Sequence, residues 1–263
     1  MLRPPEAKDA IRDIVLGMLA GETDFLAYSA LALFSRYGLD GDKRAELELI
    51  AAGLDIPVQQ LVDANRKLEQ LSLVTKHGRF RSVTPQPLAV LLALRGWEQL
   101  GDRILDTLLP SIDASLAERL FLRAADIGSA GPAAVALNRI LGENGPFNSL
   151  QDMAEGSSSR LLIQLAIICP SETTAHLDAL FDTATDDELR ELKSIRRNLV
   201  WTLEKLVWHS TTFETAAGML LRLALAESET FANNASGTWI GLFGGMLPAT
   251  AASPSARMAT WSG

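Results

Sequence analysis

The chain has 263 residues, room for one large domain or two small ones at ~150 residues each, and its 48% apolar content excludes wholesale disorder. A net charge of −8 excludes a surface that is basic overall and built for nucleic acid. A single cysteine excludes a disulfide framework or multi-cysteine metal site, and no apolar run approaches the ~18 residues of a membrane span.

Leucine (44) and alanine (36) far outnumber isoleucine (13) and valine (9), so the expected class is mainly α. Glu6, Asp9 and Asp13 precede any apolar segment, which is not the layout of a secretory signal. The expected location is the cytoplasm, with no membrane partner. Residues 1–86 carry 11 basic and 12 acidic side chains, and residues 87–263 carry 13 and 20, so the acidity lies in the second part. Two domains are expected, 1–86 with an N-terminal helix and 87–263.

In the first part, Asp24 can cap a helix with Phe25, Tyr28, Leu31 and Ala32 at three- and four-residue spacing, ending near Tyr37-Gly38. A second helix spans Ala45 to Ala52, with Gly53 as its stop. Pro57 opens a third, in which Leu61, Ala64, Leu68 and Leu71 face one way while Gln59, Gln60, Asp63, Arg66, Lys67 and Gln70 face the other. Residues 73–83 then alternate around His77-Gly78, the pattern of a two-stranded hairpin. Three helices followed by a hairpin is the element order of a winged helix-turn-helix.

From residue 87 onward every predicted element is a helix. One stripe runs through Leu91, Leu94, Leu100, Ile104 and Leu108, and a second through Leu189, Leu192, Ile195, Leu199, Leu203 and Leu206. Phe213, Ala217, Leu220 and Ala224 form a third. Thr185 to Glu188 and Thr211 to Glu214 read as capping boxes. Breakers at Pro110, Gly131-Pro132, 142–146, 156–159, Pro170 and Pro248 divide the segment into short helices, which predicts stacked helical hairpins forming an α-helical superhelix.

No motif for chemistry emerges. The run Gly142-Glu143-Asn144-Gly145-Pro146 lacks the lysine of a phosphate cradle. Gly241 to Gly245 has no cation. None of His77, His176 and His209 sits three or four residues from another or from Cys169, which ends an apolar segment as buried thiols do. The acids from Asp182 to Glu188 suit a helix start. No catalytic, metal or cofactor residue is expected.

The candidate contact residues are instead Gln59, Gln60, Arg66, Lys67, Lys76, His77, Arg79 and Arg81. Their basic members fall within sixteen positions at the end of the third helix and on the hairpin, where they can grip phosphate or pack against protein. Arg79 and Arg81 are expected to face solvent opposite Phe80. Late in the chain, Trp201, Trp208, Phe213, Phe231, Trp239 and Phe243 form either a core between helices or an aromatic recognition surface.

The run from Leu73 to Pro85 followed by Leu88-Ala89 resembles the wing and exit of the winged helix in bacterial STAND-type signal-transduction ATPases. The runs Arg197 to Leu206, Phe213 to Leu225, Asn233 to Ser236 and Leu242-Phe243 are similar to the helical repeats that follow it there. The resemblance implies an upstream ATPase domain, a winged helix as relay and a superhelix as sensor. This chain has no Walker motif, so no nucleotide-binding residue carries over, and a fragment, split-gene product or free-standing relative is expected. The expected function is a non-enzymatic regulatory module that binds a protein partner or an ATPase, with a DNA-binding regulator as the alternative.

Overall fold

The computed structural model describes residues 17, 22–129, 131–142, 145–155, 158–192, 195–227, 234–244 and 249–262. The N-terminal helix expected before residue 21, Phe231, Asn233, Pro248, residues 143–144 of the 142–146 break and residues 156–157 of the 156–159 break lie outside them. Among the described residues the chain is mainly helical with one small sheet, and it divides into two compact units, 1–136 and 137–263.

In the first unit, α1 (Glu22–Ala32) leads to a two-residue strand β1 (Tyr37–Gly38), α2 (Arg44–Leu54) and α3 (Val58–Gln70). The strands β2 (Val74–His77) and β3 (Phe80–Val83) follow, then α4 (Gln86–Arg103), which runs on through a wider π turn, Ile104–Leu108. The unit is completed by α5 (Ala114–Ile127) and the start of α6 (Pro132–Asn138). Gly78 sits in the left-handed region with φ 60°, which lets a two-residue connection join β2 to β3. The hairpin is therefore where the alternation put it, but the sheet has a third strand. Tyr37-Gly38 continues no helix; it pairs antiparallel with β3, Tyr37 opposite Arg81 and Gly38 opposite Phe80.

Two glycines act through close approach. Gly53 does not stop α2, which runs on to Leu54 and is capped by left-handed Asp55. A Cβ on Gly53 would lie 2.8 Å from the Cα of Leu108. A Cβ on Gly96 would meet Leu33 at 2.9 Å, which marks the tight crossing of α4 on α1. The division at 86/87 expected from the charge shift is not where the units part. The α4 face made by Leu88, Ala89, Leu92, Ala93, Trp97 and Leu100 is buried and covers α1, so this helix closes the first core.

The second unit contains α7 (Leu150–Glu155), α8 (Ser159–Ile168), α9 (Pro170–Thr183), α10 (Asp186–Glu191), α11 (Arg196–Leu206), α12 (Phe213–Leu225), α13 (Ala235–Gly241) and α14 (Pro254–Ser262). The leucine stripe from Leu189 to Leu206 is wholly buried, yet it belongs to two helices, α10 and α11, with a break between them. The Thr185–Glu188 capping box is present. At α12 the expected box is replaced by a tertiary bond. The Thr212 hydroxyl donates to the Leu206 carbonyl at the end of α11 and does not cap its own helix.

Arginines tie helix ends together. Arg196 is buried and donates to the carbonyls of Leu189 (2.6 Å), Leu223 (3.1 Å) and Ala226 (3.0 Å), which joins the ends of α10 and α12. Arg222 donates to Phe181 and Ala184 at the end of α9. Arg257 donates to Leu242 and Gly244 after α13. In the first unit, Arg103 does the same to Leu54 at the end of α2, at 2.9 Å. A cation at a helix C-terminus meets both unsatisfied carbonyls and the negative end of the dipole.

Candidate interaction face of α3 and the hairpin

Helix α3 starts after Pro57 and anchors through Leu61, Ala64, Asn65 and Leu68, which leaves the polar face predicted from the sequence directed outward. On that face Gln59 donates to Asp63 (3.1 Å) and Arg66 pairs with the same carboxylate (3.0 Å). Gln59 and Arg66 are exposed, Gln60 and Lys67 half-buried. Leu71, expected on the buried side, is exposed beyond the helix end.

On the hairpin, His77 is exposed, Lys76 faces Glu69 at 3.8 Å, and Arg79 forms an ion pair with Asp42. Arg81 departs from expectation. It is only 4% exposed, and its guanidinium donates to Glu69 (2.9 Å), Asp40 (2.6 Å) and the carbonyls of Gly78 and Phe80. Alternation did put Arg79 and Arg81 on one side, but the end of α3 and the loop after β1 cover the Arg81 position. Arg81 is thus a structural residue and not a contact to solvent.

A polar network runs behind this face. The buried Tyr37 hydroxyl donates to Asn65 (2.8 Å), and burial, then the nearby Glu69 charge, pushes its pKa well above the usual tyrosine range. Burial alone would raise the Glu69 carboxyl, but hydrogen bonds from Arg81 and Asn65 outweigh it and hold that group below its ordinary value. One chain of contacts therefore links β1, α3 and β3.

A second buried pair locks the other side of the sheet. Arg119 from α5 meets Glu46 of α2 at 2.8 Å, and the same carboxylate accepts the Gly38 backbone N–H at 3.0 Å. Burial would raise Glu46 too, yet its bonds to Arg119 and Lys43 hold it low. Phe80 lies among three cations, with Arg36, Arg119 and Lys43 at 5.0, 5.1 and 5.8 Å from its ring centre.

The face is electrostatically mixed. Five cations (Arg66, Lys67, Lys76, Arg79, Arg81) stand against Asp40, Asp42, Asp63 and Glu69, which leaves one net positive charge. At the leading end of α3 an open groove of about 440 Å³ is bordered by Ala51, Ile56, Pro57 and Val58 together with the acids Glu48 and Asp55. Sequence reasoning missed Asp40, Asp42 and Arg119. The signal available for the two aspartates was their place just after Tyr37-Gly38, once those residues are recognised as a strand beside Arg81.

The other motifs are dispersed. His176 bonds the Phe147 carbonyl at 2.8 Å, while His77 and His209 are exposed on separate units. Cys169 is buried, and burial together with Glu172 pushes its thiol up to about 12. The late aromatics divide. Phe213 is core, Trp239 stacks on Trp261 at 5.2 Å and meets Phe243 at a tilt at 4.7 Å, and Trp201 and Trp208 are exposed. Among the described residues no helix is long and apolar enough to cross a membrane. No family model, no curated protein and no solved structure matches this chain.

Proposed function

We propose that the chain is a non-enzymatic regulatory module of the cytoplasm that binds another protein. In this reading α1 to β3 form a winged helix that acts as a relay, and the helices that follow build a superhelical surface. The resemblance to STAND-type ATPases supplies the partner class, an ATPase domain carried by another polypeptide or an upstream segment.

The observation that carries the reading is the neutralised hairpin. Its cations are engaged by carboxylates, Arg81 is buried, and Glu48, Asp55 and Asp63 surround the end of α3 that a DNA reader would insert into the groove. A phosphate polymer gains little there, whereas a protein surface with its own mixture of charges and apolar groups fits. The alternative, a DNA-binding regulator, is favoured by the adjacent exposure of Lys76, His77 and Arg79.

Fluorescence anisotropy with a duplex of about 30 base pairs, titrated across salt, separates the two. Protein binding predicts no affinity better than the ~10⁻⁴ M that marks weak non-specific attraction at physiological salt. A sub-micromolar Kd that falls steeply with salt and is lost in Arg66→Glu and Lys67→Glu would establish the DNA reading instead.

A further inference from the structure

The second unit is acidic, with nine lysines and arginines against fourteen aspartates and glutamates. Its arginines are largely committed to the fold. Arg190 pairs with Asp187, while Arg196, Arg222 and Arg257 hold helix-end carbonyls. Arg160, Arg197 and Lys205 lie exposed on α8 and α11. These two helices pack against each other, and Asn198 of α11 donates to the Ser159 hydroxyl (2.9 Å), one residue from Arg160.

Along α11 the outward residues recur at helical spacing: Arg197, Trp201, Glu204, Lys205 and, just past the helix end, Trp208. Trp201 is 39% exposed and Trp208 55% exposed. The Arg197 guanidinium lies 5.8 Å from the Trp201 ring centre. Trp208 is held firmly from behind, because its carbonyl accepts from Ala251 at 3.2 Å and the neighbouring Val207 carbonyl accepts from Thr250. Two exposed indoles with cations at helical spacing beside them, on an otherwise acidic unit, make an anchor surface of the kind that protein partners use.

We propose that this α11 face docks an acidic amphipathic helix of a partner protein. The partner's apolar side chains would cover Trp201 and Trp208, and its flanking carboxylates would meet Arg160 and Lys205. Glu204, in the middle of the stripe, disfavours a phosphate backbone at the same place, so the charge pattern points to a peptide and away from a single-stranded nucleic acid. The proposal rests on the reading of the chain as a protein-binding module, and it assigns that module a binding face and a ligand chemistry.

The test is selection of random peptides of about 16 residues on the full chain, then titration of an enriched peptide by isothermal titration calorimetry. Expected peptides place Asp or Glu beside Leu, Phe or Trp at three- and four-residue spacing. Trp201→Ser with Trp208→Ser should weaken binding at least ~tenfold, and Lys205→Glu about threefold, with unchanged circular dichroism. If the double tryptophan variant fails to fold, Arg160→Glu with Lys205→Glu is read in its place. Basic or uncharged consensus peptides, no enriched peptide, or binding indifferent to these variants overturns the proposal. So does a self-association, or an oligothymidine affinity, that the tryptophan variants abolish. Peptide binding lost in Arg66→Glu but kept in the tryptophan variants overturns the α11 face alone and leaves the module reading standing, and the duplex titration judges that reading separately.

Discussion

Replacing Arg81 with leucine keeps an apolar stem in a buried position and removes the guanidinium that bonds Glu69, Asp40 and two carbonyls. Removing one member of a fully buried ion pair costs about 3–5 kcal/mol, chiefly through the charge left behind. Here the Asp40 side chain is 54% exposed and Glu69 28%, so both regain water in part. The expected loss is therefore about 2–3 kcal/mol, a drop in Tm on the order of 10 °C. Urea and thermal unfolding followed by circular dichroism measure it. Arg79→Leu, which breaks only an exposed pair with Asp42, serves as the control and should change stability by less than ~1 kcal/mol.

The same pair of proteins carries a pH signature. Glu69 has a carboxyl pKa held below its ordinary 4.5 in the folded state. A group depressed in this way adds stability above its unfolded pKa and loses it as pH falls through the folded value. The gap between the parent and Arg81→Leu should be full at pH 7 and shrink below about pH 4.5. A leucine variant as stable as the parent at neutral pH, or a gap that stays constant down to pH 3, would refute the buried-network account.

Three further outcomes are expected. Gly53→Ala gains about 1 kcal/mol of helix propensity but drives a methyl into the Leu108 backbone, so a net loss of about 1–2 kcal/mol should appear in urea unfolding. Arg196→Met strands three helix-end carbonyls and should lower stability by about 2–4 kcal/mol, with the second unit opening first in hydrogen exchange. Cys169, buried and with its thiol pushed up to about 12, should react with a disulfide reagent at neutral pH only as fast as the protein unfolds; a fast native-state reaction would contradict its placement.

The hairpin, α2 and α3 were legible because their signals are local: Pro57 before a helix, a glycine in a two-residue turn, apolar spacing. The strand β1 was not, since two residues ending in glycine have no period, and Tyr37-Gly38 is a strand only because the edge of β3 lies beside it. Arg81 shows the limit of alternation. Period two assigns a side chain to a face of the sheet but cannot say that Glu69 and the Asp40 loop cover that face. The break between α10 and α11 was hidden for a related reason: Leu192 and Ile195 keep the apolar spacing across a point where the helix stops. Trp201 and Trp208 both come out exposed, the first on α11 and the second just past its end, because spacing is silent on whether another helix packs there.

The arginines that grip helix ends also bear on how such a chain can change. In each of these joints the acceptor is a main-chain oxygen, which every amino acid supplies, so Leu54, Leu189, Leu223 and Phe181 can be exchanged without touching the hydrogen bond. Specificity rests on one long side chain per joint, a planar fork that reaches one carbonyl at Arg103 and two or three at the other joints, a fixed geometry that lysine does not share. Relatives could therefore drift far in sequence while Arg103, Arg196, Arg222 and Arg257 stay fixed. Four isolated arginines, at positions with no shared motif around them, would be the mark by which a distant copy of this architecture is known.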